Sequence, residues 1–310
     1  MRAAEIRTPG QPPVVAGRAA PEPGPGQVAV RVTAAPITPL DLLCASGTSY
    51  FGVPATPYVP GVQGVGVLAG TPVWFATAAG MRPGDGSMAE HAMAAADDVV
   101  ALPEGADPAL VAALGLSAVA AWRCLTGTGK LAGGETVLVL GAGGVVGQSA
   151  VQLARVAGAG RVVACARSAA ALERAGRLGA DAVVRLGEDD VESLARRLAD
   201  AAGPVDLVLD PVCGVPAAAA LRTLRPGGRL VNLGSAAGEE FAVPSALLRS
   251  RSLRILGYTN NELSADERRE ALLTVVGHAM AGDLAVGYEC VPLHDAARAW
   301  DRPGRVVLVP

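Results

Sequence analysis

Between Glu135 and Asp181 the chain reads ETVLVLGAGGVVGQSAVQLARVAGAGRVVACARSAAALERAGRLGAD, a strand, a glycine-rich turn, a helix and a second strand in unbroken succession. Thr136 to Leu140 is an apolar run suited to a buried parallel strand. Gly141, Gly144 and Gly147 follow at three-residue spacing, ahead of an amphipathic helix expected over Gln148 to Ala157. Turns of this kind bring backbone N–H groups and the positive end of a helix up to a pyrophosphate, because the missing side chains leave room for it. The common G-x-G-x-x-G spacing is not met, since Ala142 to Gly147 begins with alanine, whereas G-x-x-G-x-x-G fits in full. The strand Arg161 to Ala166 closes the unit and supplies the context that the motif needs. A bound dinucleotide is expected, held by Gly141, Gly143, Gly144, Val145, Val146 and Gly147.

Dinucleotide domains usually place an acidic residue about 20 residues beyond the turn, where it accepts from the adenosine ribose hydroxyls. Here that place is Ala166, followed by Arg167 and Ser168. A guanidinium pairs with a phosphate, and a carboxylate would repel one, so the substitution favours NADPH over NADH. Ser168 is also placed to N-cap a helix over Ala169 to Leu178 that Gly179 closes, with Arg167 then solvated.

The wider chain restricts the alternatives. A formal net charge of −3 gives no basic footprint for nucleic acid or anionic membrane. The longest weakly polar run, Pro108 to Trp122, is interrupted by Gly115 and Ser117 and reads as too short and mild for a bilayer. The start, MRAAEIRTPG, shows no apolar signal core, and a cytoplasmic protein is expected. Cys44, Cys124, Cys165, Cys213 and Cys290 contain no C-x-x-C pair, which argues against a disulfide framework or a zinc knuckle. The single lysine, Lys130, does not follow any tyrosine by four residues, so the Tyr-x-x-x-Lys pair of short-chain dehydrogenases is absent.

Residues 1–115 are rich in proline, glycine and short β-like runs, among them Gln27 to Thr33, Gly64 to Leu68 and Thr71 to Phe75. From about Leu116 to Tyr258, strands at Thr136 to Leu140, Arg161 to Ala166, Ala182 to Arg185, Val205 to Leu209 and Arg229 to Leu233 alternate with helices. Such alternation gives an α/β, doubly wound parallel sheet. A helix from Ser264 to Ala281, with Glu267 in the capping-box position, precedes a last strand at Arg305 to Val309.

Six segments in order, APITPLDLLCASG, PYVPGVQGVGVL, MAEHAMAAADDVVALPEGADP, the glycine-rich unit, LDPVCG and LRPGGRLVNLGSAAG, resemble the medium-chain dehydrogenase/reductases, specifically their zinc-independent quinone oxidoreductase and enoyl reductase branch. The resemblance implies a GroES-like β-rich catalytic domain over 1–115, a Rossmann domain over 116–258, and a segment 259–310 that returns to the catalytic domain. Zinc-dependent members carry a cysteine where this chain has Thr38 and a His-Glu pair at Val62 and Gln63. These replacements cannot supply three or four converging zinc ligands, so no metal is expected. No cysteine lies between Leu68 and Asp97 to build a structural zinc lobe, and His91 reads as a strand-end residue.

Without a Lewis acid, the chemistry the resemblance favours is hydride addition to an activated C=C bond or a quinone. That reaction needs positioning and one or two hydrogen-bond donors. The resemblance places Tyr50 in the substrate cleft, as hydrogen-bond or proton donor or, with Phe51, as an apolar wall. Thr38 falls near the nicotinamide ribose and is counted with Tyr50 as catalytic, while Asp41 holds its own loop. Ser117 lies either near the nicotinamide or at a helix cap. Val212, Gly234, Ser235, Gly257 and Tyr258 complete the cofactor set, with the Cys213 thiol packing beside it. Tyr58, Trp74 and Tyr258 join Tyr50 and Phe51 as the expected substrate pocket. A homodimer acting on a small apolar enone or quinone follows from the same resemblance. Reductive cyclisation and an NADPH-binding protein without chemistry are the alternatives.

Overall fold

The computed structural model describes all 310 residues and divides into two compact units, Met1–Gly115 with Val286–Pro310, and Leu116–Ala285. In the first unit, a seven-stranded sheet runs in the order Tyr288–Pro292, Arg305–Val309, Gln27–Ile37, Gln63–Leu68, Thr71–Ala76 and Val99–Ala101, with His91–Ala95 also paired to the long strand Gln27–Ile37. The pairings are antiparallel, except that Tyr288–Pro292 lies parallel to Arg305–Val309. Along Gln27–Ile37 the side chains of Val30, Val32 and Ala34 are buried while Arg31 is exposed, the two-residue period of a half-buried strand. Val30 and Val32 pack with Ile6, Phe75, Met88, Trp300 and Leu308 into one core. A separate antiparallel pair joins Arg2–Glu5 to Val14–Gly17.

The second unit is an all-parallel six-stranded sheet. Its order is Ala182–Arg185, Arg161–Ala166, Thr136–Val139, Val205–Asp210, Leu224–Asn232 and Arg254–Gly257. Numbered along the chain this is 3-2-1-4-5-6, the Rossmann order, whose direction reverses between Thr136–Val139 and Val205–Asp210. Strands buried on both faces read as continuous apolar runs, and Val205–Asp210 is buried at every position.

Several boundaries differ from expectation. The helix after the glycine turn runs Val145–Val156, three residues earlier than predicted, because Gly144 serves as its N-cap. The strand Gln27–Ile37 extends four residues further, and Tyr288–Pro292 adds a strand that sequence patterning missed. The tail does not return to the first unit at residue 259. Helix Ala265–Ala281 buries Ala271, Leu272, Val275 and Val276 within the second unit, with its N-cap Ser264 and Glu267 forming a reciprocal capping box. Asn260 Nδ2 donates to the Leu116 carbonyl at 2.9 Å, and Gln152 both donates to and accepts from the Ala285 backbone, so the segment is tied in up to Ala285. The apolar run is also longer than expected. Pro108–Thr128 has the length and composition of a membrane span, yet most of its apolar stretch is buried inside the protein, as in a core helix. Its backbone breaks at Gly115, where φ is 32°, and a Cβ there would meet Gln63 Oε1 at 2.0 Å.

Candidate functional site

The glycine turn lies at the reversal point of the parallel sheet. Gly141 leaves strand Thr136–Val139 with φ 66°, and a Cβ on it would stand 2.8 Å from Val212 Cγ1 on the neighbouring strand's exit loop. Gly147 presses the helix against the turn, since its Cβ would lie 2.4 Å from the Gly141 carbonyl oxygen. Gly143 and Gly144 differ from these two because both are exposed, and a Cβ on Gly144 would meet nothing closer than 3.8 Å. No side chain caps the helix at Gly144, so its first N–H groups stay available. Val145 is buried and Val146 half-buried behind them. This combination, tight packing behind and open space in front, fits a pyrophosphate.

At the end of Arg161–Ala166, Ala166 is buried and Arg167 and Ser168 are exposed. Ser168 Oγ accepts from Ala171 N at 3.2 Å and caps helix Ala169–Arg177, as the capping reading expected. No carboxylate occupies the ribose position.

Across the reversal point, Asp210 is fully buried and accepts from Val212 N at 3.0 Å and Cys213 N at 2.8 Å. Burial pushes its carboxyl above the ordinary range, against the hydrogen bond from Asn232. Asn232 Nδ2 reaches Asp210 Oδ2 at 2.9 Å and the Gly234 carbonyl at 3.0 Å, which shapes the loop carrying Gly234 and Ser235. Sequence reasoning missed Asn232; its one signal was a polar residue ending an apolar strand. A cavity of about 450 Å³ opens here, lined by Cys213, Asn232, Glu239, Phe241, Leu256 and Gly257. The expected Gly257 and Cys213 thus share one cavity. Ser235 Oγ donates to Glu239 at 2.8 Å. Tyr258 is not a free donor, because its hydroxyl is given to Asn260 Oδ1 at 2.6 Å and burial raises its pKa. Ser117 lies half-buried two residues beyond the break at Gly115.

In the first unit, Thr38 caps helix Pro39–Ser46 and Asp41 completes a capping box. Asp41 accepts from Thr38 N at 2.8 Å and Thr38 Oγ at 2.6 Å, and from Gly61 N at 3.1 Å and Val62 N at 2.9 Å. Asp41 therefore holds its loops, as expected of it. The same geometry corrects Thr38, whose one hydroxyl proton is committed to Asp41 and is not available as a catalytic donor.

Two expected pocket residues belong to the core instead. Trp74 is fully buried and donates its indole N–H to Gln63 Oε1 at 3.1 Å. Tyr58 is 5% exposed, its hydroxyl has no hydrogen-bond partner, and burial raises its pKa. Strand pairing turned Trp74 inward, a choice that alternation alone leaves open. Tyr50, by contrast, is 79% exposed and packs its ring against Phe51 with centroids 4.2 Å apart.

The positions that would bind zinc do not suit it. Thr38 is engaged with Asp41, Val62 is buried hydrocarbon, and Gln63 Oε1 is taken by Trp74. No three His, Cys, Asp or Glu side chains converge anywhere in the protein. His91 begins strand His91–Ala95, as expected.

A family model described as zinc-binding dehydrogenase matches residues 145–276, outside Thr38, Val62 and Gln63. A phenolphthiocerol/phthiocerol polyketide synthase of Mycobacterium tuberculosis is 32% identical over 293 residues, or 88% of this chain. The chain spans only 13% of that relative's length. Human quinone oxidoreductase is 31% identical over 76% of this chain and 73% of its own length. The quinone oxidoreductase of Thermus thermophilus, solved also as its complex with NADPH, is 30% identical, with a TM-score of 0.85 over the full length of both chains.

Proposed function

The chain belongs to the medium-chain dehydrogenase/reductase superfamily, in its quinone oxidoreductase-like branch, and from that premise we propose an NADPH-dependent, zinc-independent reductase of an activated C=C bond or a quinone. The observation that carries this reading is the end of strand Arg161–Ala166, where Ala166 and the exposed Arg167 stand in place of a ribose-binding acid. The Thermus thermophilus relative, with its NADPH complex, supports the same cofactor.

When bound, the reduced nicotinamide supplies a hydride to the electron-poor carbon. The protein's part is to hold and to protonate. Gly143, Gly144 and the free start of helix Val145–Val156 receive the pyrophosphate, while Arg167 faces the adenosine end. Tyr50 carries an exposed phenol whose O–H can bond to the substrate carbonyl and protonate the enolate. Zinc independence rests on the engaged Thr38 and Gln63, which leave no open ligand set.

A homodimer is part of the proposal, supported by the edge strand Arg254–Gly257, where Ile255 is exposed.

NADPH absorbance followed over quinones, enones and enoyl thioesters tests the reading, using protein pretreated with a strong chelator. Turnover without metal is expected. Activity restored only by zinc overturns zinc independence. Tight NADPH binding with no oxidation across the panel indicates a binding protein, and a product with an added ring indicates a reductive cyclase. Arg167→Asp is expected to weaken NADPH far more than NADH; equal losses refute the cofactor assignment.

A further inference from the structure

Strand Ala182–Arg185 lies parallel to Arg161–Ala166 at the outer end of the sheet, and the register sets Arg185 opposite Ala166. Arg185 Nε donates to the Arg167 carbonyl at 3.2 Å, which draws its guanidinium to the turn that follows Ala166. Arg197 donates in turn to the Arg185 carbonyl and anchors that strand end. Three arginines of the neighbouring elements sit on carboxylates, Arg155 on Asp181, Arg177 on Glu173 and Arg197 on Asp189. Arg167 and Arg185 are exposed, and neither forms an ion pair. Asp189, four residues past Arg185, is taken by Arg197 and by Gly187 N.

We propose that Arg185 is the second arm of a 2′-phosphate clamp, closing with Arg167 on the adenosine ribose of NADPH. The inference rests on the NADPH reading above. A phosphate monoester carries about −1.5 to −2 charges at pH 7, more than one guanidinium balances. With Nε spent on the Arg167 carbonyl, the two terminal amino groups of Arg185 remain to form the paired bonds that guanidinium makes to phosphate. The start of helix Ala169–Arg177 beside Arg167 adds positive dipole. Arg185 stands 18 residues after Arg167, and only the parallel register brings it to this spot.

Isothermal titration calorimetry of wild-type and Arg185→Ala protein with NADPH, NADH, adenosine 2′,5′-bisphosphate and AMP tests the clamp directly. Arg185→Ala is expected to weaken NADPH and the bisphosphate about tenfold, while NADH and AMP stay within about twofold. It should also flatten the salt dependence of NADPH binding, since one ion pair fewer is screened. Unchanged NADPH affinity overturns the clamp, as do equal losses for NADPH and NADH, which mark Arg185 as a brace for the Arg167 turn. Should Arg185→Ala melt early, Arg185→Gln is read by the same criteria. Wild-type protein that binds NADH as well as NADPH defeats the cofactor reading itself. An NADPH preference that survives intact in Arg185→Ala defeats only the clamp.

Discussion

Gly147 rests directly on Gly141: a Cβ on Gly147 would stand 2.4 Å from the Gly141 carbonyl oxygen and 2.5 Å from Ala142 Cα. Both obstacles are backbone and cannot swing aside. Gly147→Ala is expected to displace the helix Val145–Val156 and to destabilise the protein by about 1–3 kcal/mol, as overpacking does. Gly144→Ala meets only open space and is expected to cost less than about 1 kcal/mol, the cap exchange alone. It should nonetheless weaken NADPH, because its methyl enters the space left for the pyrophosphate. Melting curves and nucleotide titration of the two variants check the contrast, and a Gly144→Ala protein that binds NADPH normally counts against this turn as the phosphate cradle.

Tyr50→Phe removes one hydroxyl from a side chain that is largely in solvent. Its melting temperature should barely move, since exposed substitutions usually stay within about 0.5 kcal/mol. Turnover of the best substrate should fall about a hundredfold if the phenol is the proton donor, with NADPH affinity unchanged. Steady-state kinetics beside nucleotide titration separates this from Tyr50 acting only as a wall, for which turnover would hold.

Acid should loosen the C-terminal helix through Glu267. Ser264 N donates to Glu267 Oε2 at 3.0 Å and Ser264 Oγ at 2.9 Å, and these bonds hold the Glu267 carboxyl below its ordinary 4.5. A carboxyl depressed by folding stabilises fully above its unfolded value, and that gain disappears as pH falls through the folded value. Glu267→Gln should therefore melt lower than wild type at about pH 7, and the gap should close toward about pH 3. A gap of constant size across a pH series of thermal melts would contradict this origin.

Thiol chemistry should single out one cysteine of five. Cys290 is exposed, whereas Cys44, Cys124, Cys165 and Cys213 are buried. Burial pushes the Cys44 thiol up to about 11 and the Cys165 thiol up to about 12, and raises Cys124 as well, so these carry little thiolate. Ellman's reagent at about pH 8 should modify one thiol quickly, and Cys290→Ser should abolish that phase. A second fast thiol in the native protein would show that a buried site opens.

Much of the fold is legible because it is written locally. Glycines at 141, 144 and 147 after an apolar strand, Ser168 before an alanine-rich helix and Ser264 with Glu267 each act within a few residues, and each stands in the structure at the expected place. Asp41 is legible as the holder of its own loop, though not that it takes the Thr38 proton. The expectations that failed depended on distant partners. The family resemblance assigns the whole segment beyond residue 259 to the first unit; Gln152 and Leu116 hold it in the second as far as Ala285.

By itself the sequence determined the strand–turn–helix units and the missing acid at Ala166, since both depend on residue type at a given spacing, whereas the positions of Thr38, Val62 and Gln63 take their meaning from the family resemblance. The tertiary structure alone decided which aromatic rings face inward, as with Trp74 on Gln63 and the buried Tyr58, leaving Tyr50 outside. It alone also set Arg185 beside Ala166. Side-chain type and spacing are local properties, whereas the face a ring takes and the neighbour a strand end meets are set by pairing register between segments far apart in the chain.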